Sequence, residues 1–193
     1  MSRPRPTDLL SAGLIVAAVF AVYANAFRGT FQFDDWNVIV HDPRVQSLSA
    51  WWTSMPGIRP LLKLFYAVNH ESGLGLAGFH AINVALHATN ALLVLALLSR
   101  LAARADDDGR MAALAPTAGA LLFALHPVQT EAVTYVSGRS TSLCALFALG
   151  SIVTWLAGRE QGRRGLSLVV SPLLLAAALS VKEIAVPCPW RCC

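Results

Sequence analysis

Two adjacent carboxylates, Asp34-Asp35, follow Phe31-Gln32-Phe33 directly after a long apolar run. Paired acids at a membrane surface are costly unless they are solvated, paired or used. A solvated loop pair is one reading. A general base, or an electrostatic partner for a cationic or hydroxyl-bearing substrate, is the other. A second polar set, His80, Asn83, His87 and Asn90, falls within an arc of about 80° on one helical face. Such a stripe within a span faces a bundle interior or a cavity. There it serves interhelical hydrogen bonding, or it lines a transport path. His80 and His87 are too far apart for the adjacent-turn His pair of a zinc helix, so no metal site is expected. A third concentration runs from His126-Pro127-Val128-Gln129-Thr130-Glu131 to Ser137-Gly138-Arg139. Arg59 before Pro60, and Lys182-Glu183 near the end, complete the inventory.

These groups need elements to hold them, and composition says which kind. The chain has 193 residues, of which 55% are hydrophobic and 13% charged. Soluble domains carry roughly 25% charged residues, and disordered chains are poor in apolar residues. An integral, all-α membrane protein is what this ratio leaves. The net charge of +4 does not point to nucleic acid, because the basic residues lie in short clusters between apolar runs.

Five spans are expected, at about 9–27, 79–98, 111–125, 143–157 and 166–181. The first is longer than the apolar core of an ordinary signal peptide, although Ala24-Asn25-Ala26 resembles a cleavage site. Pro116 and Pro172 fall inside spans, where neighbouring helices tolerate them. Residues 28–78 form a long outer loop. Within it, Ser47 and Ser49 are candidate caps for a short helix at Trp51 and Trp52. Leu61, Leu64, Phe65 and Val68 mark an amphipathic helix lying on the membrane. Val128, Ala132, Tyr135 and Val136 mark a second interfacial helix. Arg3, Arg5, Arg100, Arg104, Arg110, Arg159, Arg163 and Arg164 fall on one side, which the positive-inside rule makes cytoplasmic together with the N-terminus. Asp34, Asp35, Arg59, His126, Glu131, Arg139 and Lys182 then gather on the opposite side. Of the four cysteines, Cys144 reads as a small apolar core residue. The other three crowd a tail, 188–193, that reads as a truncated or frame-shifted end. No cysteine spacing matches a zinc site or a disulfide framework.

The ordered set Tyr23-Ala24-Asn25-Ala26-Phe27, Phe31-Gln32-Phe33-Asp34-Asp35, Arg59-Pro60-Leu61, Phe79-His80-Ala81-Ile82-Asn83-Val84, His87-Ala88, His126 to Val133, Gly138-Arg139 and Lys182-Glu183 resembles a known family. It is similar to the N-terminal membrane part of the transmembrane and tetratricopeptide-repeat-containing O-mannosyltransferases and their bacterial relatives. The similarity covers about residues 20–187. The resemblance implies a multi-span helical bundle of the GT-C type, in the bacterial inner membrane or the endoplasmic reticulum membrane. It implies a polyprenyl-phosphate-linked sugar, mannose in this family, as donor, with no other cofactor. It implies a protein hydroxyl on the outer or luminal face as acceptor. An acid in the first outer loop is the base in such enzymes, and Asp34 and Asp35 match it, with Asp34 taken ahead of Asp35. Arg59, His126, Glu131, Arg139 and Lys182 match positions suited to donor-phosphate or structural roles. Family members continue through further spans and a repeat domain, so 193 residues are expected to be a fragment. The competing expectations are a membrane transporter or lipid carrier, and a non-catalytic fragment.

Overall fold

The computed structural model describes residues 6–54, 57–104 and 110–185. They are almost wholly helical, with no strand among the described residues. Helix α1 spans Pro6–Val22, and the 3-10 turn Ala24–Arg28 continues it, so that Leu9–Arg28 is apolar and long enough to cross a membrane. Short elements fill the following loop: a π turn at Trp36–Val40, a 3-10 turn at Pro43–Val45, α2 at Leu48–Thr53 and α3 at Pro60–Glu71. Helix α4, Gly75–Arg104, is the longest element. Helix α5 follows at Arg110–Leu125, α6 at Thr130–Thr134, α7 at Arg139–Glu160 and α8 at Ser171–Val181. A π stretch at Leu166–Val170 leads into α8.

Among the described residues, three helical stretches meet the length and apolarity of a span: Leu9–Arg28, Gly75–Arg104 and Val136–Glu160. Leu114–Leu125 and Leu166–Val181 are apolar but shorter. All five expected spans are therefore helices, and their bounds shift. Helix α4 starts four residues earlier and ends six later than the pattern suggested. At 1.5 Å per residue it is about 45 Å long, more than a ~30 Å hydrocarbon core requires. Its first turn is largely exposed, and burial begins at Gly78, Phe79, His80 and Asn83. Both prolines lie inside helical stretches: Pro116 within α5, and Pro172 within Leu166–Val181, where its π part passes into α8.

Helix α4 is the central post and is buried on two sides. On one, Val84, Ala88 and Ala91 pack with Ile15, Val19 and Tyr23 of the first span and with Ala120 and Ala124 of α5. On the other, Phe79 and Leu86 pack with Leu62 and Tyr66 of α3, Leu143 and Cys144 of α7, and Ala178 and Val181 of α8. Small residues allow this close approach, as is usual between membrane helices. Leu10, Leu14, Leu114, Leu122, Leu168 and Leu173 are exposed on the outside of the bundle, where lipid tails would cover them. Gly29 lets the end of the first span touch α4: a Cβ there would lie 3.0 Å from the Ala26 carbonyl and 3.1 Å from His80 Nε2.

The loop devices are partly as expected. The Ser47 hydroxyl caps α2 by accepting from the Ala50 N–H, while Ser49 lies within the helix. Helix α3 does form, and the face it turns into the bundle is Leu62, Tyr66 and Asn69. Leu61 and Phe65 are half-buried against the core and Val68 is exposed. The segment 126–138 forms two 3-10 turns around the five-residue α6 instead of one helix. Val133 and Val136 are buried and Val128 is exposed.

At the far end of the bundle, the Arg100 and Arg104 guanidiniums share the carboxylate of Glu160. The ends of α4 and α7 therefore lie on one side, as the charge pattern requires. Arg3, Arg5 and the 188–193 tail lie outside the described residues.

Candidate active site

The turn that carries the two aspartates sends them in opposite directions. Phe33 takes a left-handed backbone (φ +43°), an uncommon conformation for an aromatic residue. The chain bends there, leaving Asp34 exposed and Asp35 fully buried. Asp35 accepts the backbone N–H of Ser137 (2.8 Å), the Ser137 hydroxyl and the backbone N–H of Gln32 (3.0 Å). The Asp34 backbone is held at both ends: its N–H donates to the Tyr135 hydroxyl at 3.0 Å, and its carbonyl accepts from the Asn37 and Val38 N–H groups, both at 2.9 Å. Its carboxylate faces a cavity.

That cavity, of about 430 Å3, lies between the 34–44 segment, the start of α3, the 131–141 segment and Lys182. Asp34, Asp42 and Glu131 supply its acids, and Arg44, Arg59, Lys63 and Lys182 its cations. Tyr66, Tyr135, Ser137 and Thr141 add hydroxyls. Arg59 precedes Pro60, which disfavours right-handed helical geometry at that position, and it adopts φ +58°. Its guanidinium pairs with Glu183 at 3.0 Å, and this bond holds the Glu183 carboxyl below its usual value. Lys182 donates to the Thr141 hydroxyl at 3.0 Å. Arg44 is held by Asp42 through two side-chain bonds of 2.7 and 2.8 Å. Burial pushes the Asp42 carboxyl up, but Arg44 outweighs it and the group stays below the usual carboxylate value. Burial, and then the nearby Arg44 charge, hold the Lys63 ammonium below its usual value. A lysine so placed gains from an anion more than a solvated one does.

Arg139 is not in the cavity. It is completely buried. Its Nε donates to Asn83 Oδ1 (2.8 Å), and one terminal nitrogen donates to Asn69 Oδ1 and the Phe79 carbonyl (both 2.9 Å). The cation also lies over the rings of Tyr66 and Phe79, 5.2 and 5.1 Å from their centres. It ties α3, α4 and α7 together behind the cavity wall, and a donor-phosphate role for it is set aside. His126 is exposed, and its Nδ1 caps the following turn by accepting from the Val128 N–H. It does not line the cavity.

The polar stripe of α4 is wholly buried and bridges helices. Asn83 Nδ2 donates to the Tyr135 carbonyl (3.1 Å), Asn90 Nδ2 to the Ser142 carbonyl (2.8 Å), and His87 Nε2 meets the Ala124 carbonyl (2.9 Å). His80 is buried with neither ring nitrogen bonded. These contacts favour the bridging reading of the stripe over a transport path.

The structure thus brings Asp34, Arg59, Glu131 and Lys182 together, and places Asp35 and Arg139 in the supporting layer. Asp42, Arg44, Lys63, Tyr66 and Tyr135 are cavity residues that sequence reasoning passed over. Asp42-Pro43-Arg44 is a compact turn signal, since the Asp42 side chain accepts the Arg44 N–H. Lys63 and Tyr66 share a face one turn apart on α3, a signal hidden behind the apolar pattern. Among the described residues, no cluster of metal-ligating groups occurs.

No family model matches the chain, and no solved structure matches it. Curated proteins do. The protein O-mannosyl-transferase TMTC4 of Homo sapiens is 35% identical over 201 residues, covering 89% of this chain and 27% of the relative. Tmtc1 of Drosophila melanogaster, also a protein O-mannosyl-transferase, is 32% identical over 204 residues, covering 96% and 22%. Its counterpart TMTC3 of Mus musculus is 29% identical over 198 residues, covering 93% and 20%. The chain spans about a quarter of the length of these relatives. An all-helical bundle with apolar helices of membrane-crossing length, matched over about nine-tenths of its residues, makes the chain a membrane protein homologous to one part of the TMTC family of protein O-mannosyltransferases.

Proposed function

We propose that the chain is the portion of a membrane glycosyltransferase that carries its catalytic base and part of its donor site. The donor is a polyprenyl-phosphate-linked sugar, mannose by analogy with the names of the relatives, and the acceptor is a protein hydroxyl. One observation carries the reading: Asp34 shares a single cavity with Arg44, Arg59, Lys63 and Lys182.

The chemistry follows from that set. Asp34 takes the proton of the acceptor hydroxyl as its oxygen attacks the anomeric carbon. The bond from that carbon to the phosphate oxygen breaks, and the lipid phosphate leaves with an added negative charge. Cations beside the leaving oxygen stabilise the charge as it develops. Arginine suits a phosphate through its planar fork of donors, and lysine as a point charge. Asp35 positions Asp34 by pinning the turn to Ser137. The cavity faces the outer or luminal side, with the N-terminus and the Arg100–Glu160 end cytoplasmic, in a bacterial inner membrane or the endoplasmic reticulum membrane.

The test is sugar transfer in membranes from a full-length homologue carrying Asp34→Asn at the matching position. Wild-type transfer by that variant would remove the assignment. Labelling of single cysteines placed at Gln46 and Gln161 tests the orientation, and reaction from the same side would overturn it.

A further inference from the structure

Asp34, Asp42 and Glu131 line the cavity, and their carboxylates are not equally engaged. Asp42 is held by Arg44 through two side-chain bonds. Asp34 is occupied by the acceptor proton during transfer. Glu131 is exposed, and among the described residues its carboxylate makes no ion pair and no hydrogen bond. Its backbone is fixed, because the chain at Gly138 passes so close that a Cβ there would lie 2.4 Å from the Glu131 carbonyl. The carboxylate is thus reachable, uncommitted and carried by a firm wall.

The other side chains of the lining are rich in donors and poor in acceptors. Arg44, Arg59, Lys63 and Lys182 line it, and such groups only donate. The Tyr135 hydroxyl already accepts the Asp34 N–H, the Thr141 hydroxyl accepts from Lys182, and the Ser137 hydroxyl is turned to Asp35. A phosphate offers only acceptors and suits these walls. A sugar ring also brings hydroxyl donors, and a donor enclosed without an acceptor is costly. Yet the ring has to sit here, since its anomeric carbon lies between the hydroxyl that Asp34 deprotonates and the phosphate that the cations hold. A carboxylate repels that phosphate, so the free one is of use to the neutral part of the ligand.

We infer that Glu131 is a specificity-determining residue, whose carboxylate accepts hydrogen bonds from the hydroxyls of the donor sugar. This rests on the sugar-phosphate reading of the cavity and adds the group that recognises the sugar. The bonds are made without proton transfer, so Glu131 is a binding residue and Asp34 remains the base.

Glu131→Ala tests the claim, because it removes an exposed carboxylate that holds no other residue. The purified 193-residue chain in detergent is titrated with mannose 1-phosphate and, separately, with inorganic phosphate, and its thermal unfolding is recorded. A hydrogen bond to a charged group corresponds to roughly tenfold or more in affinity. The expected result is that wild type binds mannose 1-phosphate more tightly than phosphate. Glu131→Ala should bind mannose 1-phosphate about tenfold more weakly, and phosphate equally or more tightly, since a repelling charge has gone. Its unfolding temperature should be unchanged. Unaltered or tighter binding of mannose 1-phosphate by the variant overturns the inference and leaves the cation site standing. Equal loss with both probes overturns it too, because the carboxylate then acts on the phosphate. A lowered unfolding temperature also overturns it, because the group is then structural. If wild type binds neither probe, the phosphate reading itself falls and takes this inference with it.

Discussion

Two polar layers lie one behind the other at this end of the molecule, built from the same residue types. In the inner layer, Asp35, Asn69, Asn83 and Arg139 are buried and hydrogen-bonded to side chains and backbone around them. In the cavity layer, Asp34, Arg44, Lys63, Glu131 and Lys182 line open space, and Arg44 and Lys182 also bond to Asp42 and Thr141. An aspartate and an arginine occur in each. What separates them is burial. A buried polar group specifies structure, and its loss leaves a buried partner unsatisfied. A group that lines a cavity keeps bonding capacity that a ligand can use. The inner layer should therefore fail in stability and the cavity layer in function.

The contrast is sharpest at Arg139. Arg139→Met should destabilise the chain by about 3–5 kcal/mol, because it strands the Asn69 and Asn83 oxygens and the Phe79 carbonyl. Thermal unfolding in detergent checks this, and a stable, folded variant would break the distinction between layers. Gly138→Ala should do nearly as much. A Cβ there would lie 2.4 Å from the Glu131 carbonyl and 3.0 Å from Ala132 Cα, and neither backbone atom can step aside cheaply. Asp35→Asn should cost about 2–3 kcal/mol, since Ser137 and the Gln32 N–H donate to different oxygens of the carboxylate, and an amide has only one oxygen to accept them. Its neighbour supplies the paired test. Asp34→Asn should leave stability within about 0.5 kcal/mol while abolishing sugar transfer in a full-length homologue. Similar stability losses at both aspartates would erase the comparison.

The smallest expected effect is a pH dependence at Asp42. Its folded carboxyl is lowered by Arg44 against the opposing effect of burial. The unfolded chain therefore binds more protons in the window below the ordinary carboxylate value. Stability from this pair is complete above that value, and is lost as pH falls through the folded value. Asp42→Asn should flatten the acid side of the stability profile. An unchanged slope would show that Arg44 holds the turn without using its charge.

Much of this plan was legible in the residues, for local reasons. The apolar runs marked all five helices, because burial in lipid depends on composition and length more than on partners. The polar stripe of α4 was legible as a stripe because helical periodicity is a local property. The residues that α3 turns into the bundle were not legible, for the opposite reason. Asn69 turns inward only because Arg139 waits there, and that arginine comes from α7, 70 residues away. Lys63 and Arg44 were passed over because their local signals, a turn at Asp42-Pro43-Arg44 and a place on a mostly apolar helix, do not mark them for a cavity. Their significance arises where α3 meets the turn after Asp42.

By itself the sequence determined a helical membrane protein, the order and approximate extent of its apolar helices, and the family resemblance carried by Asp34-Asp35 after the first of them. Only the tertiary structure decided which aspartate lines the cavity and which is buried. Of the two roles open to Arg139 and His126 it shows structural contacts, and it adds Arg44, Lys63 and Tyr66 to the cavity lining. Residue type and spacing settle what a side chain is able to do, whereas its role depends on which partners reach it. Here those partners come from helices far apart in the chain, and no local pattern encodes their meeting.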